Sequence, residues 1–194
     1  MTPTRIAVVD DDSLIRLDLC DLLGRLGYIV AGEAGDAQSA VHLARSVRPD
    51  LVIMDIRMAG EMDGIDAAAA LAAEAIAPVL LLTAFSDIAL VQRAVEAGVV
   101  AYLLKPFSAD ELQPAIEVTL ARYQAYRTLA QETADLRDQL STRKLVEKAK
   151  GVLMAQYQLN EAEAFRRIQK ASMNTRKPMK EIAEAILVSE QISA

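Results

Sequence analysis

The first 120 residues alternate between short apolar runs and longer stretches with helical periodicity. The apolar runs have the length and composition of strands buried on both faces, and they span residues 6–9, 28–32, 51–54, 79–82 and 101–104. The helical stretches span residues 13–26, 36–47, 65–74 and 87–97, and a fifth begins after Ser108. Five consecutive strand–helix units predict an α/β fold, a doubly wound parallel sheet with helices on both faces.

The fifth helix is predicted to continue beyond the end of a compact domain, because no glycine or proline occurs between Pro114 and Gly151. Within it, residues spaced alternately three and four apart form a short heptad seam: Tyr126, Leu129, Thr133, Leu136 and Leu140. The seam favours a helical connector that forms a homodimer. A single helix packed on its own chain is the alternative.

Two further helices follow and complete a small all-helical domain. Asn160 and Glu163 have the spacing of a capping box, and Pro178 suits the first turn of the last helix. The large apolar residues of this region are predicted to form its core: Met154, Phe165, Ile168, Met173, Ile182 and Ile186. The predicted domains are an α/β domain over residues 1–120, a helical or coiled-coil linker over 121–142, and a three-helix domain over 143–194.

Composition favours a cytoplasmic globular protein. Hydrophobic residues make up 53% of the chain and charged residues 25%, and no apolar run approaches the roughly 20 residues of a membrane span. A single cysteine, Cys20, excludes an intramolecular disulfide, and no signal peptide is apparent at the start of the chain. We therefore expect no membrane partner.

The net charge of −6 conceals a division along the chain. Residues 143–180 hold ten basic and three acidic side chains, a net charge of +7, and the rest of the chain carries −13. An acidic body with a basic end indicates that the end binds a polyanion. From charge alone, a merely solvated basic face is the alternative.

Polar side chains follow four of the predicted strands, at the point where each strand ends. They are Asp10 and Asp11, Asp55, Thr83, and Lys105. Because the carboxyl ends of parallel strands meet at one edge of a sheet, we expect these groups to converge there. Three carboxylates suit Mg²⁺, and a carboxylate can also accept a phosphoryl group as an acyl phosphate.

Within this set, Asp55 is the better nucleophile because it stands alone at the tip of the central strand. The ammonium of Lys105 and the hydroxyl of Thr83 can meet phosphoryl oxygens. Asp12 can assist the metal or cap the following helix. Any one of these acids taken alone would be interpreted as a solvated loop residue.

These motifs resemble the receiver domain of two-component response regulators. The matching segments are Val8-Val9-Asp10-Asp11-Asp12, Ile53-Met54-Asp55, Asp63-Gly64, Leu82-Thr83-Ala84 and Lys105-Pro106-Phe107. The resemblance implies a flavodoxin-like sheet in the order 2-1-3-4-5 and phosphorylation of Asp55 by a sensor histidine kinase. It also implies that Thr83 and Tyr102 form a switch that moves on phosphorylation.

The same resemblance implies how the metal and the phosphoryl group are held. Mg²⁺ would be bound by Asp11, Asp55 and the backbone carbonyl of Arg57, with Asp10 assisting through water. Lys105 would pair with the phosphate, and the Lys105–Pro106 bond would be cis. The family often has proline where this chain has Ala59, which leaves the shape of the following loop open.

The basic end resembles the ANTAR domain, a family that binds RNA in transcription antitermination. The matching segments are residues 143–154, with Ala149-Lys150-Gly151 followed by Leu153-Met154, then Glu163-Ala164-Phe165 and Ala171-Ser172-Met173. The resemblance implies that a dimer recognises paired RNA hairpin loops. The implied contacts are Arg143, Lys150, Gly151 and Arg176 first, then Lys144 and Lys148, since such cations meet phosphates.

The sequence therefore predicts a response regulator whose phosphorylation controls RNA hairpin binding and transcription antitermination. One alternative is the same switch with a DNA-binding output, although the helical end lacks a short recognition helix after a tight glycine turn. Another is a protein-interaction adaptor that acts through the coiled coil. We expect no DNA partner, and no enzymatic activity beyond slow loss of the chain's own phosphoryl group.

Overall fold

The computed structural model describes residues 3–84 and 90–193 and confirms the predicted α/β sheet. Five parallel strands lie in the order β2-β1-β3-β4-β5. In chain order, they are β1 (Arg5–Val9), β2 (Ile29–Ala34), β3 (Leu51–Asp55), β4 (Val79–Ala84) and β5 (Ala101–Lys105). This is the order that the resemblance to receiver domains implies.

Seven helices are present in the described part of the chain. They are α1 (Ser13–Arg25), α2 (Ala37–Val47), α3 (Gly64–Ala73), α4 (Val91–Glu96), α5 (Ala109–Tyr157), α6 (Glu161–Thr175) and α7 (Met179–Ser193). The beginning of the helix predicted over 87–97 lies outside the described residues. None of these seven helices combines the length and the apolar character needed to cross a membrane.

The sheet is apolar on both faces because its central strands are buried on both sides. Along β1, Ile6 and Val8 belong to one core cluster with residues of α1 and α5, such as Leu23 and Leu112. Ala7 and Val9, which alternate with them, belong to a second cluster with residues of α2 and α3. The unbroken apolar runs in the sequence therefore reflect helices on both faces of the sheet.

The chain divides into two compact units, Met1–Arg127 and Thr128–Ala194. The predicted domain boundaries at residues 120 and 142 both fall inside the single helix α5. The division into three parts therefore stays a prediction.

The C-terminal unit has its own core, which is built around small residues. Ala149 of α5, Ala164 of α6 and Ala183 of α7 are fully buried, together with Ile168. The predicted capping box starts α6, since Asn160 accepts a hydrogen bond from Glu163 N and its own N–H donates to the Glu163 carboxylate. These contacts form one three-helix unit, as predicted.

Three of the predicted core residues of this unit are in fact exposed. Met154, Phe165 and Met173 are 37%, 41% and 73% exposed. Because α6 buries Ala164 and Ile168, the side chain of Phe165 lies beside that stripe, about 100° around the helix from Ala164 and about 60° from Ile168. Helical spacing alone did not show that alanines form the contact between the helices.

The heptad seam of α5 is exposed along its length. Its large members Tyr126, Leu129, Leu136 and Leu140 are between 54% and 69% exposed. The hydroxyl of Thr133 donates to the carbonyl of Leu129 at 2.8 Å, within the helix itself. Packing of this stripe on its own chain, the alternative left open by the sequence, is not observed among the described residues.

Gly64, the first residue of α3, packs directly on the end of β3. A Cβ at this position would lie 2.0 Å from the carbonyl oxygen of Asp55 and 3.0 Å from Cα of Ile56. The amide of Gly64 also donates to the carbonyl of Ile56 at 2.9 Å. Only glycine allows α3 to approach the strand end this closely.

We therefore expect Gly64→Ala to lower the free energy of unfolding by about 3 kcal/mol, because backbone atoms of β3 must move to admit the methyl group. The matched control is Gly24→Ala in α1, where an added Cβ meets no atom within 4 Å. That change should leave stability equal or slightly higher, since alanine is the better helix former. Urea denaturation of the full chain measures both, and equal stability of the two variants would contradict the packing argument.

Candidate functional site

The strand ends bring three carboxylates together, as the sequence predicted. Asp10 and Asp11 directly follow β1, and Asp55 is the last residue of the neighbouring β3. One carboxylate oxygen from each of the three lies within 4.8 Å of the other two. Asp10 is fully buried, Asp55 is largely buried and Asp11 is exposed, so the cluster is open on one side.

Lys105, the last residue of β5, places its ammonium between two of these carboxylates. Its Nζ donates to Asp10 Oδ2 at 2.7 Å and lies 3.1 Å from Asp55 Oδ2. Burial acts to lower the pKa of Lys105, but the bonds and charges of Asp10 and Asp55 outweigh it and the pKa is raised. Lys105 is therefore a permanent cation at neutral pH.

The charges of this cluster fit a divalent cation. Burial raises the pKa of the Asp55 carboxyl, while the nearby Lys105 acts in the opposite direction. With all three carboxylates ionised, one ammonium leaves two negative charges uncompensated in a partly buried site. Mg²⁺ prefers oxygen ligands and retains waters, so three carboxylates open to solvent on one side suit it well.

Asp12 caps a helix and is not part of the cluster. Its Oδ1 accepts hydrogen bonds from the amides of Leu14 and Ile15 at the start of α1. The amide of Asp12 in turn donates to Asp10 Oδ1 at 2.9 Å. Of the two roles that the sequence left open for Asp12, the structure shows the cap.

The loop after β3 contacts the cluster at Asp11. The amide of Ala59, at the position where the family often has proline, donates to Asp11 Oδ2 at 3.3 Å. A proline lacks this N–H, so Ala59 gives the loop a hydrogen bond that the common family residue cannot make. The role predicted for the backbone carbonyl of Arg57 stays a prediction.

The residues predicted to form the switch lie on β4 and β5. Thr83 is fully buried and its hydroxyl donates to the carbonyl of Ala84 at 3.2 Å, while Tyr102 is 46% exposed. Thr83 pairs in register with Leu104, the neighbour of Lys105. The Lys105–Pro106 peptide bond is cis, as the resemblance implied.

Arg93 of α4 forms a contact near this site that the sequence did not reveal. Its guanidinium reaches Asp63 Oδ2 and Asp66 Oδ1, both at 2.6 Å, at the start of α3. Although burial acts to raise the pKa of Asp63, the bonds from Arg93 and from backbone amides lower it overall. The predicted segment Asp63-Gly64 therefore caps α3 and also connects it to α4.

Most of the predicted RNA contacts are exposed. Arg143, Lys144, Lys148 and Gly151 lie on the exposed surface of α5, and Arg176 follows α6 as its left-handed cap residue with φ of 55°. These exposed residues can contact a polyanion without any change in the fold.

Lys150, also a predicted RNA contact, is buried and ion-paired. Its side chain is 9% exposed, and its Nζ donates to Glu147 at 2.8 Å and to Glu161 at 2.7 Å. The hydrogen bonds that it donates to these two carboxylates raise the pKa of Lys150. Its charge is thus already compensated within the C-terminal unit.

Two family models match the chain in consecutive segments. The model of the response regulator receiver domain matches residues 6–117, and the model of the ANTAR domain matches residues 134–187. The first segment contains the carboxylate cluster with Lys105, and the second contains the exposed basic residues of α5 and α6.

Known proteins match the chain over nearly its whole length or over a part of it. The chain is 49% identical over 185 residues to the transcriptional regulatory protein PdtaR of Mycobacterium tuberculosis, covering 95% of this chain and 90% of that protein. It is 35% identical over 113 residues to the chemotaxis protein CheY of Thermotoga maritima, covering 58% of this chain and 93% of that protein.

Solved structures resemble the N-terminal part. The signal receiver domain of a modulated diguanylate cyclase from Desulfovibrio desulfuricans G20 has a TM-score of 0.60 at 33% identity, covering 64% of this chain and 98% of that one. The signal receiver domain of the putative response regulator NarL from Mycobacterium tuberculosis has a TM-score of 0.58 at 32% identity, with coverage of 61% and 97%. The chain thus belongs to the response regulators that join a receiver domain to an ANTAR domain.

Proposed function

We propose that phosphorylation of Asp55 by a sensor histidine kinase controls binding of the ANTAR domain to RNA hairpins and so regulates transcription antitermination. The observation that carries this proposal is the joining, in one chain, of the Asp10–Asp11–Asp55 cluster with an ANTAR domain. Exposed cations on the second unit give the output a surface suited to a polyanion.

The chemistry assigned to Asp55 uses the groups at the strand ends together with Mg²⁺ and the phosphohistidine of the kinase. An oxygen of Asp55 attacks the phosphorus of the kinase phosphohistidine, the phosphorus–nitrogen bond breaks, and an acyl phosphate forms. Mg²⁺, held by Asp10, Asp11, Asp55 and the Arg57 carbonyl, would supply positive charge to the phosphoryl oxygens. The ammonium of Lys105 would then leave the carboxylate oxygen of Asp55 and donate a hydrogen bond to an oxygen of the phosphoryl group.

The switch follows from the position of Thr83. Its buried hydroxyl donates only a long hydrogen bond, of 3.2 Å, to the adjacent carbonyl of Ala84. Because this bond is weak, the hydroxyl can turn and donate to an oxygen of the phosphoryl group. Movement at the end of β4 makes room for the exposed ring of Tyr102 on the neighbouring strand to turn inward. The surface around β4 and β5 would then differ between the phosphorylated and the unphosphorylated receiver domain.

Homodimerisation is the role that we assign to the exposed seam of α5. Four large side chains at heptad spacing, each more than half exposed, form a stripe that a second copy can bury. A dimer would present two ANTAR domains, as recognition of paired hairpin loops requires.

The chain is proposed to act as a switch and not as an enzyme, in the cytoplasm where its kinase partner supplies phosphoryl groups.

The alternative output is binding to duplex DNA. Competition between duplex DNA and stem-loop RNA for the phosphorylated chain separates the two, and preferential binding of DNA would overturn the RNA assignment.

The assignment of Asp55 predicts that Asp55→Asn takes up no phosphoryl group from acetyl phosphate with Mg²⁺ present, because the amide is not nucleophilic. Mass spectrometry of the intact protein measures the uptake. The control is Asp21→Asn, which removes an exposed carboxylate on α1 and should be phosphorylated like the wild type. Phosphorylation of Asp55→Asn to the wild-type level would show that another residue accepts the group.

The seam predicts that Leu136→Asp lowers the dimer fraction of the phosphorylated chain, because the dimer would then bury an unpaired charge. Light scattering coupled to chromatography measures the mass. Ala134→Asp introduces the same charge at an exposed position of the same helix outside the seam and should leave the dimer intact. Equal dimer fractions in both variants would rule out the seam as the interface.

The ion pairs of Lys150 predict that Glu161→Gln tightens RNA binding severalfold, because a phosphate then competes with one carboxylate fewer for this ammonium. The probe is a stem-loop RNA that the wild type selects from a pool with a randomised loop. Glu184→Gln on α7 removes the same charge away from Lys150 and should have the smaller effect. An identical gain in RNA affinity in both variants would show that the gain comes from the change in net charge and not from the release of Lys150.

A further inference from the structure

The C-terminal unit contains a cavity that none of the roles above uses. It has a volume of about 340 Å³ and lies where the end of α5 meets α6 and α7. Its apolar lining includes Leu153, Ala171, Ile182 and Ala185. The volume suits a single planar ring system with its substituents, such as a nucleobase.

One side of this cavity is formed by a stacked pair of flat groups. The guanidinium carbon of Arg167 on α6 lies 4.1 Å from the ring centroid of Tyr157 at the end of α5, and both residues line the cavity. Tyr157 is 47% exposed. Among the residues that the structure describes, Arg167 has no carboxylate partner, so its charge is open to an external anion.

A polar group accompanies this flat surface. Gln156, next to Tyr157, also lines the cavity, and its amide offers both donors and an acceptor. The combination is an apolar floor, a flat stacking surface and an amide. It matches a nucleobase, which has two apolar faces and a polar edge.

Charge favours a nucleic acid over an apolar peptide side chain as the occupant. Beside Arg167, α6 carries exposed Arg166 and Lys170, and the segment 143–180 has a net charge of +7. A base attached to a phosphate backbone satisfies both the cavity and its charged surroundings.

We propose that this cavity receives one unpaired base of the hairpin loop, stacked against the Tyr157–Arg167 pair. The inference rests on the proposed RNA-binding function and deepens it, since it places a base-reading site beside phosphate-binding cations. Lys144 and Lys148 would contribute affinity for any RNA, whereas the cavity would make binding depend on one loop position.

The proposal is tested by a substitution that fills the cavity with a larger side chain. Ala185→Leu extends a side chain from the α7 wall, and the control Ala162→Leu makes the same change at an exposed position of α6 that does not line the cavity. The probe is the stem-loop RNA selected by the wild-type full chain, with each loop nucleotide replaced in turn by an abasic one. Circular dichroism and the melting temperature confirm that each variant is folded.

In the wild type and in Ala162→Leu, one abasic position should weaken binding by roughly tenfold to a hundredfold, as loss of a stacked base does. Ala185→Leu should bind the intact RNA more weakly by a similar factor, and the same abasic position should then cause no further loss. Additive losses from the two changes, or unchanged binding by Ala185→Leu, would overturn the base site.

A second comparison distinguishes stacking from charge. Arg167→Gln and Arg166→Gln remove the same charge, and each should lower the salt dependence of RNA binding to a similar degree. Only Arg167→Gln should also abolish the effect of the critical abasic position. Wild-type chain that selects no stem-loop RNA at all would overturn the proposed function, whereas selection with no difference between these variants would overturn the cavity assignment alone.

Discussion

The receiver unit depends on the compensation of three carboxylates by one ammonium at the edge of the sheet. Asp10 is fully buried, and Lys105 stands within hydrogen-bonding distance of it and close to Asp55. This arrangement leaves two negative charges uncompensated, which suits the binding of a divalent cation. Gly64 and the cap of α3 hold the Asp55 strand end in position, and Arg93 connects that cap to α4. The strand end that carries Asp55 is thus in contact with α3 and, through Arg93, connected to α4.

The ANTAR unit is held together by close packing of its helices, which contact one another at alanines. Close contact at Ala149, Ala164 and Ala183 leaves larger residues such as Phe165 and Met173 at the surface. Buried Lys150 connects α5 to the first turn of α6 through Glu161, so part of the basic charge supports the fold. The remaining exposed cations and the cavity beside Tyr157 are then available to a ligand.

The sequence predicted most of the receiver and less of the ANTAR unit, for physical reasons. Strand ends of a parallel sheet converge by topology, so Asp10, Asp55 and Lys105 could be assigned from apolar runs alone. The contact of Arg93 with Asp63 could not, because it depends on how two helices thirty residues apart pack. Helical periodicity likewise identified apolar positions around Ile168 without showing that alanines make the contact. It identified Lys150 as basic without showing that two carboxylates surround it.

Control of RNA binding by Asp55 is tested most directly by the affinity of the full chain for its selected stem-loop RNA, measured with Mg²⁺ in the presence and absence of beryllofluoride. Beryllofluoride mimics the phosphoryl group on Asp55 without the need for a kinase. We expect RNA binding at least tenfold tighter in the presence of beryllofluoride, and no such gain in Asp55→Asn. Equal affinity of the wild type in both conditions would contradict the claim that the charge state of one aspartate controls the RNA-binding end.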